Sequence, residues 1–270
     1  MKKLLAIILI GVLAFGAALG LTGCKDSKDK DAEKEKQVTI TVAAAASLEN
    51  GFTKELIPAF EKKNPDIKVT GTYDASGKLQ KQIEEGAEID VFFSAADKQM
   101  EELIGKDMIK KDSKAPIVEN EIVLIKAKDK DLPDVKKYED IANANVIAIG
   151  DPASVPAGQY AQESLQNLNL WDAVQAKKVS LGTNVTEVLN WVAEGSADVG
   201  VVYRSDAMSM EGKVEVIGAA PKDSVSPAIY PVGIVSASKN QEAAQKFIDF
   251  LKTEEAQKIF EKYGFKPITE

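Results

Sequence analysis

Apolar and polar positions change period repeatedly along this chain, and the changes mark its elements. Val38-Thr-Ile-Thr-Val-Ala43 alternates and then runs into small residues, which predicts a strand entering a core. Ser47 opens a helical pattern through Leu48, Phe52, Leu56, Ile57 and Phe60, and Asn64-Pro65 stops it. Ile67 to Thr72 reads as a second strand. A short helix with Leu79, Gln82 and Ile83 follows Ser76-Gly77 and ends at Gly86. Asp90-Val-Phe-Phe93 reads as a buried strand, and Asp97 is expected to cap the next helix, through Met100, Leu103 and Ile104. Strand and helix thus alternate, as in a parallel sheet covered by helices.

The pattern restarts after Pro116. Strands are predicted over Glu121 to Ala127, Val146 to Ile149, Asp198 to Tyr203 and Ile229 to Ser236, with Pro231 marking an edge or a crossover. A turn at Gly150-Asp-Pro152 precedes a helix from about Gly158 to Leu168, and another helix runs from near Val185 to near Gly195. Gln241 to Lys252 and Thr253 to Tyr263 finish the chain as helices. This pattern predicts an α/β fold of two similar lobes, each a mostly parallel sheet flanked by helices. Lobe 1 is expected to hold residues 38–118 plus 230–270, with the last helices packed on it, and lobe 2 residues 119–229. Two domains in series is the alternative that periodicity leaves open.

The first residues have another character. Lys2 and Lys3 precede an uncharged stretch from Leu4 to Leu21, and Leu21-Thr22-Gly23-Cys24 follows. A basic start, an apolar core and small residues before a cleavage point describe a secretory signal over residues 1–23. A membrane-spanning helix is the rival, although this stretch is barely long enough. Leu-x-Gly-Cys resembles a bacterial lipobox, in which Cys24 is lipidated and becomes the mature N-terminus. Residues 24–37 then form a charge-balanced tether with no large apolar residue, expected to be disordered. The protein is accordingly expected on the outer face of the cell membrane, anchored to lipid through Cys24. Loss of Lys2 and Lys3 takes the net charge from -8 to -10. That acidity argues against nucleic-acid partners, which need basic patches.

The chain has no His and one Cys, which removes imidazole chemistry, an intrachain disulfide and any multi-Cys metal site. No nucleophile-elbow, P-loop or dinucleotide-binding motif is present; paired carboxylates and a Ser76–Lys78 nucleophile and base stay open, though the abundant acids read as solvated surface charge and the spacing is weak evidence. Four helices instead begin on small or polar segments, at Ser47, at Ser76-Gly77, at Pro156-Ala157-Gly158 and at Asn184-Val185. Free N–H groups and partial positive charge make a helix N-terminus an anion site. Two of these starts fall in each expected lobe, so a cleft between the lobes would be lined by them from both sides. Taken singly, Ser47 and Ser76 read as ordinary N-cap residues, and Tyr203 as a core or rim aromatic.

Five runs change that reading. They are Ala43-Ala-Ala-Ala-Ser47-Leu, Ile83-Glu-Glu-Gly-Ala-Glu-Ile-Asp-Val-Phe-Phe-Ser-Ala-Ala-Asp97, Ile149-Gly-Asp-Pro-Ala-Ser-Val-Pro-Ala157-Gly-Gln-Tyr160, Gly200-Val-Val-Tyr203-Arg-Ser-Asp-Ala and Phe260-Glu-Lys-Tyr-Gly-Phe265. With them the chain resembles, over Val38 to Glu270, the molybdate-binding proteins of ABC transporters, which have the type II periplasmic-binding-protein fold. The resemblance implies a monomer that captures molybdate or tungstate in the cleft, uses no cofactor, and hands the anion to a membrane permease. Sulfate or thiosulfate is the alternative cargo. It also implies five ligand positions: the hydroxyls of Ser47, Ser76 and Tyr203, and the backbone N–H groups of Ala157 and Val185. No protein atom would coordinate the metal directly. Two departures stand out. Ser76 lies between Ala75 and Gly77, where family members often carry several serines, and Arg204 follows the tyrosine, where Gly is common.

Overall fold

The computed structural model describes residues 37–268. The expected signal segment, Cys24 and most of the expected tether lie outside the described residues. Among the described residues, no helix is long and apolar enough to cross a membrane.

Strand β1 (Val38–Ala45) is the alternating run, and its small end, Ala43 to Ala45, is almost completely buried. The chain then enters one helical stretch in pieces. A 3₁₀ turn (Ala46–Leu48) leads into α1 (Glu49–Gly51), a π turn (Phe52–Leu56) and α2 (Ile57–Lys63). Asn64 ends the stretch by turning its side-chain amide onto the Phe60 carbonyl at 3.0 Å. There follow β2 (Ile67–Asp74), α3 (Ser76–Glu84), β3 (Val91–Phe93), α4 (Asp97–Gly105) and β4 (Ala115–Asn120).

The chain then builds a second sheet from β5 (Ile122–Ala127), β6 (Val146–Gly150), α5 (Pro156–Asn167), α6 (Trp171–Gln175), β7 (Lys178–Gly182), α7 (Val185–Ala193), β8 (Val199–Tyr203), α8 (Arg204–Ser209) and β9 (Val214–Ala219). It returns through β10 (Ala228–Ile234), α9 (Gln241–Leu251), α10 (Glu254–Lys262) and β11 (Lys266–Pro267).

The first sheet has the order β11-β4-β10-β3-β1-β2 and the second β7-β6-β8-β5-β9. Both are mixed rather than mostly parallel. The β1–β2 and β1–β3 pairs are parallel, as are β6–β7 and β6–β8, because each joins strands linked through a covering helix. The antiparallel pairs arise where the chain crosses between sheets. Strand β10 runs antiparallel to both β3 and β4, and β5 runs antiparallel to both β8 and β9. Pro231 therefore sits in an internal strand. It is tolerated because it faces Pro116 at a register irregularity, where neither residue has an N–H to contribute.

Edge-to-face aromatic pairs fix the C-terminal helices to the first sheet and its helices. Phe52 and Phe60 meet Phe247 with ring centroids 5.9 and 5.0 Å apart, and Phe93 meets Phe260 at 6.2 Å.

Candidate functional site

The five expected residues stand at the ends of strands and the starts of helices on both sheets. Ser47 lies in the 3₁₀ turn at the end of β1, and Ser76 is the first residue of α3. Neither caps its helix by side chain; Ala45 and Ala75 hold the cap positions. Asp97 does not cap α4 either, and its carboxylate pairs instead with Lys114 at 2.6 Å. The serine hydroxyls are thus left for other partners.

Ala157 is the second residue of α5, behind Pro156, and Val185 is the first of α7. Their amides lie in the first turn, where a helix supplies no carbonyl partner. The Gly150-to-Gly158 run shapes the entry into α5. The Asp151 carbonyl accepts from the amides of Ser154 and Val155 at 3.0 and 2.8 Å, turning the chain. Gly158 then packs so closely on β6 that a Cβ there would stand 2.0 Å from the Gly150 carbonyl oxygen. At α7, Asn184 accepts from the Glu187 amide at 2.9 Å while Glu187 accepts from the Thr183 amide at 2.6 Å. This reciprocal cap fixes the direction in which the Val185 amide points. Tyr203 ends β8 and is almost fully buried.

All five residues line one small cavity between the two sheets, together with Ala45, Ala46, Asp74, Ala75, Ala95, Val155 and Pro156. It is tight: the space open to the centre of a water-sized sphere is about 10 Å³, close to what a single water needs. A larger groove on the second sheet's side, flanked by Trp171, Val179 and Leu181, contains none of the five.

Contacts across the cleft surround the cavity. The Gly77 amide donates to the Ser154 carbonyl at 3.0 Å, Asn184 donates to the Asp74 carboxylate at 3.3 Å, and Gln99 donates to Gln159 at 3.2 Å. Ala95 joins both sides: its amide donates to the Ser76 hydroxyl at 3.0 Å, and its carbonyl lies 3.5 Å from the Tyr203 hydroxyl.

The electrostatics suit neutral donors. Burial, with the neighbouring Tyr230, Tyr160 and Asp206 groups, holds the Tyr203 hydroxyl well above the usual phenol range. It therefore stays protonated and able to donate. Asp74, a carboxylate on an otherwise donor-rich wall, is engaged by the Ala75 amide at 2.8 Å, by Lys78 at 3.3 Å and by Asn184. Those partners offset its repulsion of an anion. Arg204 does not line the cavity; its side chain pairs with Glu121.

Three features were not anticipated from the residues. Ala95 lies in the quoted Phe93-to-Asp97 run, Asp74 lies two residues before Ser76, and both had a local signal. Tyr230, which makes a 2.8 Å hydrogen bond to Ser47 Oγ, lies 183 residues from its partner and had none.

The model of the bacterial extracellular solute-binding protein family matches residues 40–266. A Bacillus subtilis protein named as an ABC transporter substrate-binding lipoprotein is 41% identical over 98% of this chain and 99% of its own length. The molybdate-binding protein of Haemophilus influenzae is 38% identical over 76% of this chain and 82% of its own. Among solved structures, the periplasmic molybdate-binding protein of Azotobacter vinelandii superposes with a TM-score of 0.77 at 23% identity, covering 85% of this chain and 100% of that one. That last likeness speaks to the fold alone.

Proposed function

This chain belongs to the bacterial extracellular solute-binding proteins, and on that premise we propose that it captures molybdate or tungstate in the cavity between its two sheets. As a family member it is the solute-binding component of an ABC importer, acts outside the cytoplasm, delivers its ligand to a membrane permease and is not an enzyme. The ligand is cargo and no cofactor is involved.

The observation that carries the reading is convergence. Ser47, Ser76, Ala157, Val185 and Tyr203, spread over most of the folded chain, line one small cavity. In this reading three hydroxyls and two first-turn amides hold the four oxygens, and no cation is needed at the ligand. A buried donor left unpaired costs about 1–3 kcal/mol, so a ligand with acceptors on every side is favoured. A dianion without a proton meets that demand. Hydrogen phosphate brings a donor to a wall of donors and is disfavoured.

The two lobes of the reading are residues 38–118 with 230–270 and residues 119–229, hinged where the chain passes between the sheets. Their closure around the anion would present one surface to the permease. Lipid anchoring through Cys24 and a monomeric state complete the proposal. A Cys24→Ala protein recovered in the membrane fraction of cells as fully as the wild type would remove the anchor from it.

Sulfate or thiosulfate is the second reading, because the same donors serve any tetrahedral dianion. A thermal-shift screen separates the two. A ligand at a thousand times its Kd stabilises by about 4 kcal/mol, so molybdate and tungstate should raise Tm by several degrees at concentrations where sulfate has no effect. Stabilisation by sulfate and not by molybdate would reverse the order.

A further inference from the structure

Tyr230 is completely buried; its hydroxyl bonds Ser47 Oγ at 2.8 Å and Asn120 Nδ2 at 3.3 Å, and the Tyr203 hydroxyl is a further neighbour. Burial holds that hydroxyl well above the usual phenol range, so it keeps its proton. A buried O–H without an acceptor is costly, and the direction of the two bonds can be worked out from their chemistry.

Asn120 is itself fixed. Its side-chain carbonyl accepts from the Glu121 amide at 2.9 Å, so its nitrogen is the atom facing Tyr230. That nitrogen has hydrogens and no lone pair to offer; it donates to the Ser205 hydroxyl at 2.8 Å and to Tyr230. Of the acceptors then left to the Tyr230 hydrogen, Ser47 Oγ at 2.8 Å is the one with a formed bond, while the Tyr203 hydroxyl turns towards the Ala95 carbonyl. Once Ser47 accepts from Tyr230, its own hydrogen must point elsewhere, and Ser47 lines the cavity. The second serine shows the same polarity by a shorter route: Ser76 Oγ accepts from the Ala95 amide, which can only donate.

We propose that Asn120 and Tyr230 form a one-way hydrogen-bond relay that fixes the Ser47 hydroxyl as a donor to the bound anion. The inference rests on the cavity being the oxyanion site proposed above. Neither residue lines the cavity; both are positioning residues, and the relay acts through Ser47. Asn120 sits at the end of β4 where the chain leaves the first sheet, and Ser205 belongs to α8 on the second. The relay thus begins on an amide that bridges the two sides of the cleft.

The test is a double-mutant cycle read by calorimetric titration with molybdate. Tyr230→Phe in the otherwise unchanged protein should weaken binding about three- to tenfold, because the Ser47 hydroxyl loses the partner that orients it. In a Ser47→Ala background the same substitution should change affinity by less than twofold. Equal losses in both backgrounds would assign Tyr230 a general packing role and overturn the relay, as would an undiminished affinity of Tyr230→Phe alone. Asn120→Ala runs through the same cycle with the same expectations and serves if Tyr230→Phe does not fold, which thermal unfolding reports. A wild-type protein that binds molybdate but is indifferent to Ser47→Ala would remove the site and the relay together. Binding that depends on Ser47 but shows no coupling to Tyr230 or Asn120 would remove the relay and leave the site.

Discussion

The Gly77 amide and the Ser154 carbonyl meet across the cleft at 3.0 Å, and a Cβ on Gly77 would stand 2.5 Å from that carbonyl oxygen. Only a glycine lets the start of α3 come this close to the turn before α5. Both elements line the cavity through their next residues, Ser76 and Val155. Gly77→Ala should therefore hold the two sides apart without disturbing either. We expect an affinity loss of tenfold or more for molybdate with little change in the unfolding midpoint of the ligand-free protein. Calorimetry and thermal unfolding check the two halves of that statement.

Ser47→Ala removes a donor to a charged ligand. Such hydrogen bonds contribute about 1.5–3 kcal/mol, so binding should weaken roughly tenfold to a hundredfold. Unchanged calorimetric affinity would contradict the role given to Ser47.

Gly158→Ala should act on stability. Its Cβ would meet the Gly150 carbonyl at 2.0 Å, a backbone atom that cannot rotate away. Overpacking typically costs about 1–3 kcal/mol, and this contact belongs at the upper end or beyond. Urea unfolding measures it, and a loss below about 0.5 kcal/mol would show that α5 moves off β6 freely.

Asp206 gives a pH signature. It is buried, and burial raises its carboxyl to about 7, although the Tyr203 amide donates to it at 3.1 Å. The native state therefore holds this proton more tightly than the unfolded chain. Its contribution to stability is full below the ordinary carboxylate range and is lost as pH rises towards about 7. Asp206→Asn removes that loss. The stability difference between variant and wild type should grow in favour of the variant from about pH 4 to 7, by up to about 1.4 kcal/mol per pH unit. Denaturant unfolding across that range tests it, and a difference independent of pH would refute it.

How far the residues alone reach is visible in particular elements. The starts of α5 and α7 were legible because Pro156 and Asn184 act locally, within one turn. So was β1, whose alternation ends in a buried alanine run. Strand β7 was not foreseen: it is an edge strand with Lys178 and Leu181 exposed, and one covered flank leaves little period to read. Strand β4 was hidden by Pro116, whose missing N–H is harmless only because Pro231 stands opposite. The expected caps at Ser47, Ser76 and Asp97 failed for one reason. Each side chain found a partner outside its own helix, in Tyr230, Ala95 or Lys114. Tyr230 was beyond reach because its meaning lies in a tertiary contact, and no local pattern encodes which strand end will face which.

The most direct measurement is a calorimetric titration of ligand-stripped protein with molybdate, tungstate and sulfate side by side. One site per chain is expected, with molybdate and tungstate bound at least tenfold more tightly than sulfate. Absence of binding by both metal oxyanions, or tighter binding of sulfate, would refute molybdate or tungstate as the cargo.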